Sequence, residues 1–170
     1  MEMNKLPKKI LLVGLCFLAL SGQAKSDSLS DAESVYGTGD YVNAAKLYRL
    51  AAEQGNAYAQ AVLGSLYENG KGVPQEYEEA IRWYRLAAEQ GNFGAQLLLG
   101  IMYLDGHGVQ KNIVLSHMWI NISAVNTTDD KTLKNTTTLR NSVAKLMNAQ
   151  QIAEAQELAR KCYASKYKGC

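Results

Sequence analysis

A chain of 170 residues has room for one domain or a short array of repeats. Its 47% hydrophobic and 20% charged content is that of a globular protein rather than a disordered one. Eighteen Lys and Arg against 16 Asp and Glu leave a formal charge of +2, without the clear basic excess that a nucleic-acid binder carries.

The chain opens with Lys5, Lys8 and Lys9, followed by an apolar run from Ile10 to Leu20. That run is too short for a membrane-spanning helix, which needs about 20 residues. Gly22 and Ala24 occupy the minus-three and minus-one places of a cleavage after Ala24. The pattern predicts a secretory signal peptide over 1–24, with a lysine-rich start that suits bacterial export. A retained membrane anchor is the alternative. Lipidation at Cys16 is disfavoured because Leu15, not a small residue, precedes it. Cleavage removes three lysines and one glutamate and leaves 15 basic and 15 acidic residues. The mature chain is therefore expected to be neutral, periplasmic or secreted, with no nucleic-acid partner and no transmembrane segment. The basic cluster from Arg160 to Lys168 reads as a solvated helix end.

Residues 25–39 form a polar flank with one short helical candidate, Ser30–Tyr36. A repeat then begins. Asp40–Gln75 and Glu76–Lys111 align without a gap and share 19 of 36 positions, among them the identical stretch YRLAAEQGN at Tyr48–Asn56 and Tyr84–Asn92. A period of this length marks a solenoid built from one supersecondary unit. Apolar residues recur at three and four, not two, so the unit is a pair of helices. One stripe holds Ala59, Val62, Leu63, Leu66 and Tyr67. The partner stripe holds Ala80, Trp83, Tyr84, Ala87 and Ala88. Gly55 and Gly91 suit the left-handed residue that ends a helix, and Asn56 and Asn92 suit the cap that starts the next. The opposite corners are GKGVPQ at Gly70–Gln75 and GHGVQK at Gly106–Lys111. Gly64 and Gly100, with Ala44 and Ala80, are the small residues expected where helices cross. Trp83 and Trp119 are expected in the core.

These residues carry a resemblance. Ala59, Leu63-Gly64, Tyr67, Gly70-x-Gly72-Val73, Ala80, Trp83-Tyr84 and Ala87-Ala88 are similar to the Sel1-like repeat, a relative of the tetratricopeptide repeat. The second unit matches at Ala95, Leu99-Gly100, Tyr103, Gly106-x-Gly108-Val109, Trp119 and Ala124. It departs at Ser116, where alanine is usual, and near Asn126, where the closing glycine is missing. The resemblance implies an all-α, right-handed solenoid of helix-turn-helix repeats with a C-terminal helical cap. The divisions are a half repeat at 40–54, repeats at 55–90 and 91–126, and capping helices within 127–170. Helices are predicted from about Thr132 to Met147 and from Ala149 to Tyr163, with Asn148 as cap and Gln151 as its capping-box partner.

Cys162 and Cys170 remain after cleavage, and two cysteines in an exported chain suggest a disulfide. In a continuous helix they would stand about 12 Å apart, beyond reach. Pairing therefore requires the helix to break near Cys162–Lys166 and the tail to fold back, which Gly169 eases. Similar cysteine pairs occur in cysteine-rich Sel1-like repeat proteins. A zinc site combining them with His107 or His117 is not expected, and no cofactor is.

No phosphate loop, dinucleotide fingerprint or metal-spaced histidine pair appears. His107 is expected on a loop, and His117 as a packing residue. Ser142-Val143-Ala144-Lys145 fits the S-x-x-K pattern of serine β-lactamases, but Ser165–Lys168 fits it as well and the companion motifs are missing. No catalytic residue is assigned. The expected function is a noncatalytic interaction module of the cell envelope or secreted space, with a protein or peptide partner. The alternatives are a cell-wall-related enzyme or binder acting on peptidoglycan or β-lactams, or a secreted effector. By resemblance to tetratricopeptide repeats, the first helix of each pair lines a concave face. Tyr58, Ala61, Ser65, Glu68 and Asn69 are its candidates in one unit, and Leu97, Ile101, Leu104 and Asp105 in the next. The other possibility is that several of these pack against flanking helices.

Overall fold

The computed structural model describes residues 29–170, which form eight helices and, among the described residues, no strand. The signal-peptide reading of 1–24 and the first residues of the flank lie outside them. The helices are α1 (29–37), α2 (Tyr41–Glu53), α3 (Ala57–Asn69), α4 (Tyr77–Ala88), α5 (Phe93–Asp105), α6 (Ile113–Asn126), α7 (Asp130–Ala144) and α8 (Ala149–Ala164). Successive helices from α2 to α7 pack on one another as an all-α solenoid, and α8 closes on α6.

The identical stretch is a corner with one geometry used twice. Gly55 and Gly91 take φ of 87° and 85°, the left-handed region that glycine enters at no steric cost. Asn56 N–H donates to the Ala51 carbonyl and Gly55 N–H to that of Ala52, a Schellman turn. Asn92 and Gly91 repeat it on Ala87 and Ala88. The side chains of Asn56 and Asn92 then accept from the amides of Ala59 and Ala95, each at 2.9 Å, and start the next helix.

The stripes read from the sequence form the core. Ala80, Tyr84, Ala87 and Ala88 are fully buried, as are Ala59 and Leu63, while Val62 is half-buried. Trp83 and Trp119 are both buried. Gly64 and Gly100 mark the crossings within each pair. A Cβ on Gly64 would stand 2.7 Å from the Tyr84 ring, and one on Gly100 would stand 2.5 Å from Ile120. Ser116 takes the place of Ala80 in the second crossing, and its hydroxyl is buried there without a partner.

A second set of contacts repeats at the same interval. The second glycine of each GxG loop meets the start of the preceding pair's second helix. Gly72 lies against Tyr41 and Gly108 against Tyr77. The variable residue between the glycines covers the same tyrosine. Lys71 Nζ sits 5.2 Å from the Tyr41 ring centroid, and His107 stacks on Tyr77 at 4.7 Å. These loops therefore set the spacing between repeats as well as turning the chain.

The cap is built around α6, whose mostly apolar residues are packed by α5, α7 and α8. The helix expected over Thr132–Met147 starts two residues earlier, because Asp129 accepts from the Thr132 amide and caps it, and ends at Ala144 in a turn closed by Val143 and Ala144 carbonyls. Asn148 and Gln151 form the reciprocal capping box of α8. After Ala164 the chain turns through Lys166 and Tyr167, both with positive φ, and Gly169. This brings Cys170 to a Cα separation of 5.5 Å from Cys162, where the two form a disulfide. The fold-back seats Tyr167 beside Gly91, with its hydroxyl donating to Asn126 Oδ1 at 2.9 Å, and Tyr163 donates to the Ile122 carbonyl at 3.2 Å. The tail thus clasps the end of α6. Replacing both cysteines by serine should cost about 2.5 kcal/mol, the chain-entropy value for a loop this short. Urea titrations of the oxidised and double-serine proteins measure it, and equal midpoints would show that the clasp holds without the bond.

His117 is 5% exposed on α6, and its Nδ1 has no partner. Burial, and then the charge of Arg140 on α7, hold its pKa below the ordinary 6.5. The neutral ring is therefore the folded form. The unfolded chain binds the proton first, so this contribution is complete above pH 6.5 and is lost as pH falls below it. The melting temperature should drop between pH 7 and 5.5, and His117→Leu should flatten that slope. An unchanged slope in the variant would assign the pH dependence elsewhere.

Candidate interaction groove

The first helices of successive pairs do not line one continuous face of equal character. They enclose a groove of about 560 Å³ at the N-terminal half of the array. Its walls come from Tyr36 of α1, Tyr48 of α2, Tyr58, Ala61, Val62 and Ser65 of α3, and Asn92, Phe93, Gly94 and Leu98 at the start of α5. Tyr36 meets Tyr48 edge-on at 6.1 Å and Tyr41 at 5.1 Å, which fixes the α1 side. Burial, and then the neighbouring Tyr58 and Glu33, push the Tyr48 phenol far above its ordinary range, so it remains a neutral donor. Tyr58 is 48% exposed and Phe93 39% exposed, so the groove offers open aromatic surface on two opposing helices.

Of the nine residues proposed for the concave face, Tyr58, Ala61 and Ser65 come together in this groove. Glu68 is half-buried and accepts from the Tyr84 hydroxyl at 2.6 Å. Asn69 donates to the Ser65 carbonyl at 2.8 Å and finishes α3. Leu97, Ile101 and Leu104 are half-buried further along α5, and Asp105 is exposed at its end; none of the four lines the groove. In the second unit the Tyr84–Glu68 pair gives way to Ile120 and Leu104, which removes the hydroxyl and its acceptor together.

The reading by single helices missed Tyr36, Tyr48, Val62, Asn92, Phe93, Gly94 and Leu98, because the groove forms between two repeats. It also missed an internal polar ladder. Gln60 and Gln96 are buried and donate to the Ala52 and Ala88 carbonyls at 3.0 and 3.1 Å. Their side-chain oxygens accept from Gln90 and Asn126, each at 2.8 Å. Arg85 donates to Tyr103 at 2.6 Å, and Arg49 to Tyr67 in the preceding repeat. The signal was available: a glutamine follows the buried alanine in both units.

Ser142 and Lys145 are exposed on α7 and its end, and the Ser142 hydroxyl donates to the Thr138 carbonyl within the helix at 3.0 Å. His107 is exposed on its loop. Among the described residues, no group of three metal-binding side chains converges and no helix is long and apolar enough to cross a membrane.

Stacked helix pairs with small residues at their crossings define an α-solenoid whose exposed feature is a shaped surface. The Sel1 repeat family model matches residues 34–56, 57–92 and 94–124, more than half of the chain. The chain belongs to the Sel1 repeat family, whose fold generally mediates protein–protein interaction. A protective antigen of uropathogenic Escherichia coli displaying an SLR fold is similar at 29% identity and a TM-score of 0.75, over 84% of this chain and 30% of that one. A Sel1 repeat protein from Oxalobacter formigenes is similar at 35% identity and a TM-score of 0.55, over 58% of this chain and 39% of that one. This chain thus spans well under half the length of either. No curated protein matches it.

Proposed function

We propose that this protein is a noncatalytic interaction module of the bacterial cell envelope or secreted space, and that it grips a peptide segment of a partner protein in the groove between α1, α3 and α5. The observation that carries the reading is the pair of open aromatic rings, Tyr58 and Phe93, facing one groove from neighbouring repeats. Large rings with few rotatable bonds are the side chains that anchor protein interfaces. Export is supported by the lysine, apolar and small-residue order of 1–24, and by a disulfide of the kind that persists in oxidising compartments.

Tyr58→Ala with Phe93→Ala should leave helix content and melting temperature near those of the parent, since both rings are partly solvated, and should reduce partner capture from intact cells at least about tenfold. Leu50→Ala with Leu86→Ala, on the exposed side of α2 and α4, serves as the control and should leave capture intact. Equal capture by parent and groove variant contradicts the reading. Nitrocefin turnover that disappears in Ser142→Ala would contradict its noncatalytic part.

A further inference from the structure

The first helices that border the groove, α1, α3 and α5, carry charge of one sign. Asp31 and Glu33 lie on α1, Glu68 on α3 and Asp105 on α5, and these three helices contain no lysine or arginine among the described residues. The cations stand instead on the second helices, with Lys46 and Arg49 on α2 and Arg82 and Arg85 on α4. Among the described residues, no cation lies within 4.0 Å of any of these four carboxylates. Two of the acids flank the groove itself. Glu33 stands one turn before the lining Tyr36 on α1, and its charge adds to the burial that raises the Tyr48 phenol. Glu68 stands one turn beyond the lining Ser65 and accepts from the Tyr84 hydroxyl at 2.6 Å. Between them the surface is aromatic and aliphatic, and ring faces attract cations.

Resting on the groove as the binding surface, we infer that the partner segment it takes places a lysine or arginine next to an apolar side chain. The apolar group seats among Val62, Phe93 and Leu98, and the cation faces the aromatic rim and Glu33. An acidic segment of the same shape meets the like charge of Glu33 beside the aromatic rim, so the arrangement selects by sign as well as by fit.

Three fluorescent peptides with one leucine pattern, and lysine, serine or glutamate at the remaining positions, test this by anisotropy on the oxidised protein. The lysine peptide should bind about tenfold more tightly than the serine peptide, and the glutamate peptide more weakly still. Glu33→Gln should weaken the lysine peptide more than the serine peptide and so narrow the gap between them. Tyr58→Ala with Phe93→Ala should weaken every peptide. Equal binding of the three peptides, all weakened by the double variant, overturns the charge selection and leaves the groove standing. Binding of the lysine peptide that ignores the double variant, or no binding of any peptide, overturns both.

Discussion

Gly72→Ala is expected to destabilise the protein by about 3 kcal/mol or more, the largest effect of any single methyl added to it. The residue combines two constraints. Its φ of 72° is strained for any side chain, and an added Cβ would stand 2.1 Å from the Tyr41 carbonyl oxygen and 2.6 Å from the Val42 amide. Those obstacles are backbone atoms at the start of α2, so relief requires separating a GxG loop from the helix that it registers. Gly55 isolates the first constraint. Its φ is 87° but the space around it is open, so Gly55→Ala should cost only about 1 kcal/mol. Gly108→Ala repeats the Gly72 clash at 2.7 Å from Tyr77 and should fall between the two. Urea unfolding of the three variants gives the comparison. Equal losses at Gly72 and Gly55 would mean that the loops turn the chain without spacing the repeats.

Gln96→Leu is the second large effect, expected at about 2–4 kcal/mol. The replacement is close in size and apolar, yet it strands the Ala88 carbonyl and the Asn126 amide inside the stack. Asn126 is also the acceptor for Tyr167, so the loss reaches the disulfide-bonded tail. The exposed Gln54 provides the contrast, where leucine should change stability by less than about 0.5 kcal/mol. A loss below about 1 kcal/mol at Gln96 would show that the ladder is replaceable by apolar packing.

What the sequence revealed and what it concealed divide along a physical line. Corners were legible because they are local: Gly55 with Asn56, and Asn148 with Gln151, satisfy their backbone partners within a few residues. Core stripes were legible because burial follows helical period, as at Ala80, Tyr84 and Ala87. The groove was only partly legible. A face drawn on one helix finds Tyr58, Ala61 and Ser65, but Phe93 and Tyr36 reach them only after two repeats are stacked with a particular offset. Glu68 shows the opposite failure, since its place on the helix points to solvent while the Tyr84 hydroxyl draws it into the packing. The glutamine ladder recurred in plain sight, but polarity inside an apolar stripe becomes interpretable only once its carbonyl partner is known. The tail was legible as a condition, that the helix break before Cys170 could return, and positive φ at Lys166 and Tyr167 is how the chain meets it.

The central claim is that the aromatic groove, and not the outer helix face, meets the partner. Site-specific photo-crosslinking in intact cells addresses it most directly, with a photoreactive phenylalanine placed in turn at Tyr58, Phe93, Leu50 and Leu86. A discrete adduct from positions 58 and 93, absent from 50 and 86, is the expected result. Adducts from 50 and 86 with none from the groove positions would contradict it.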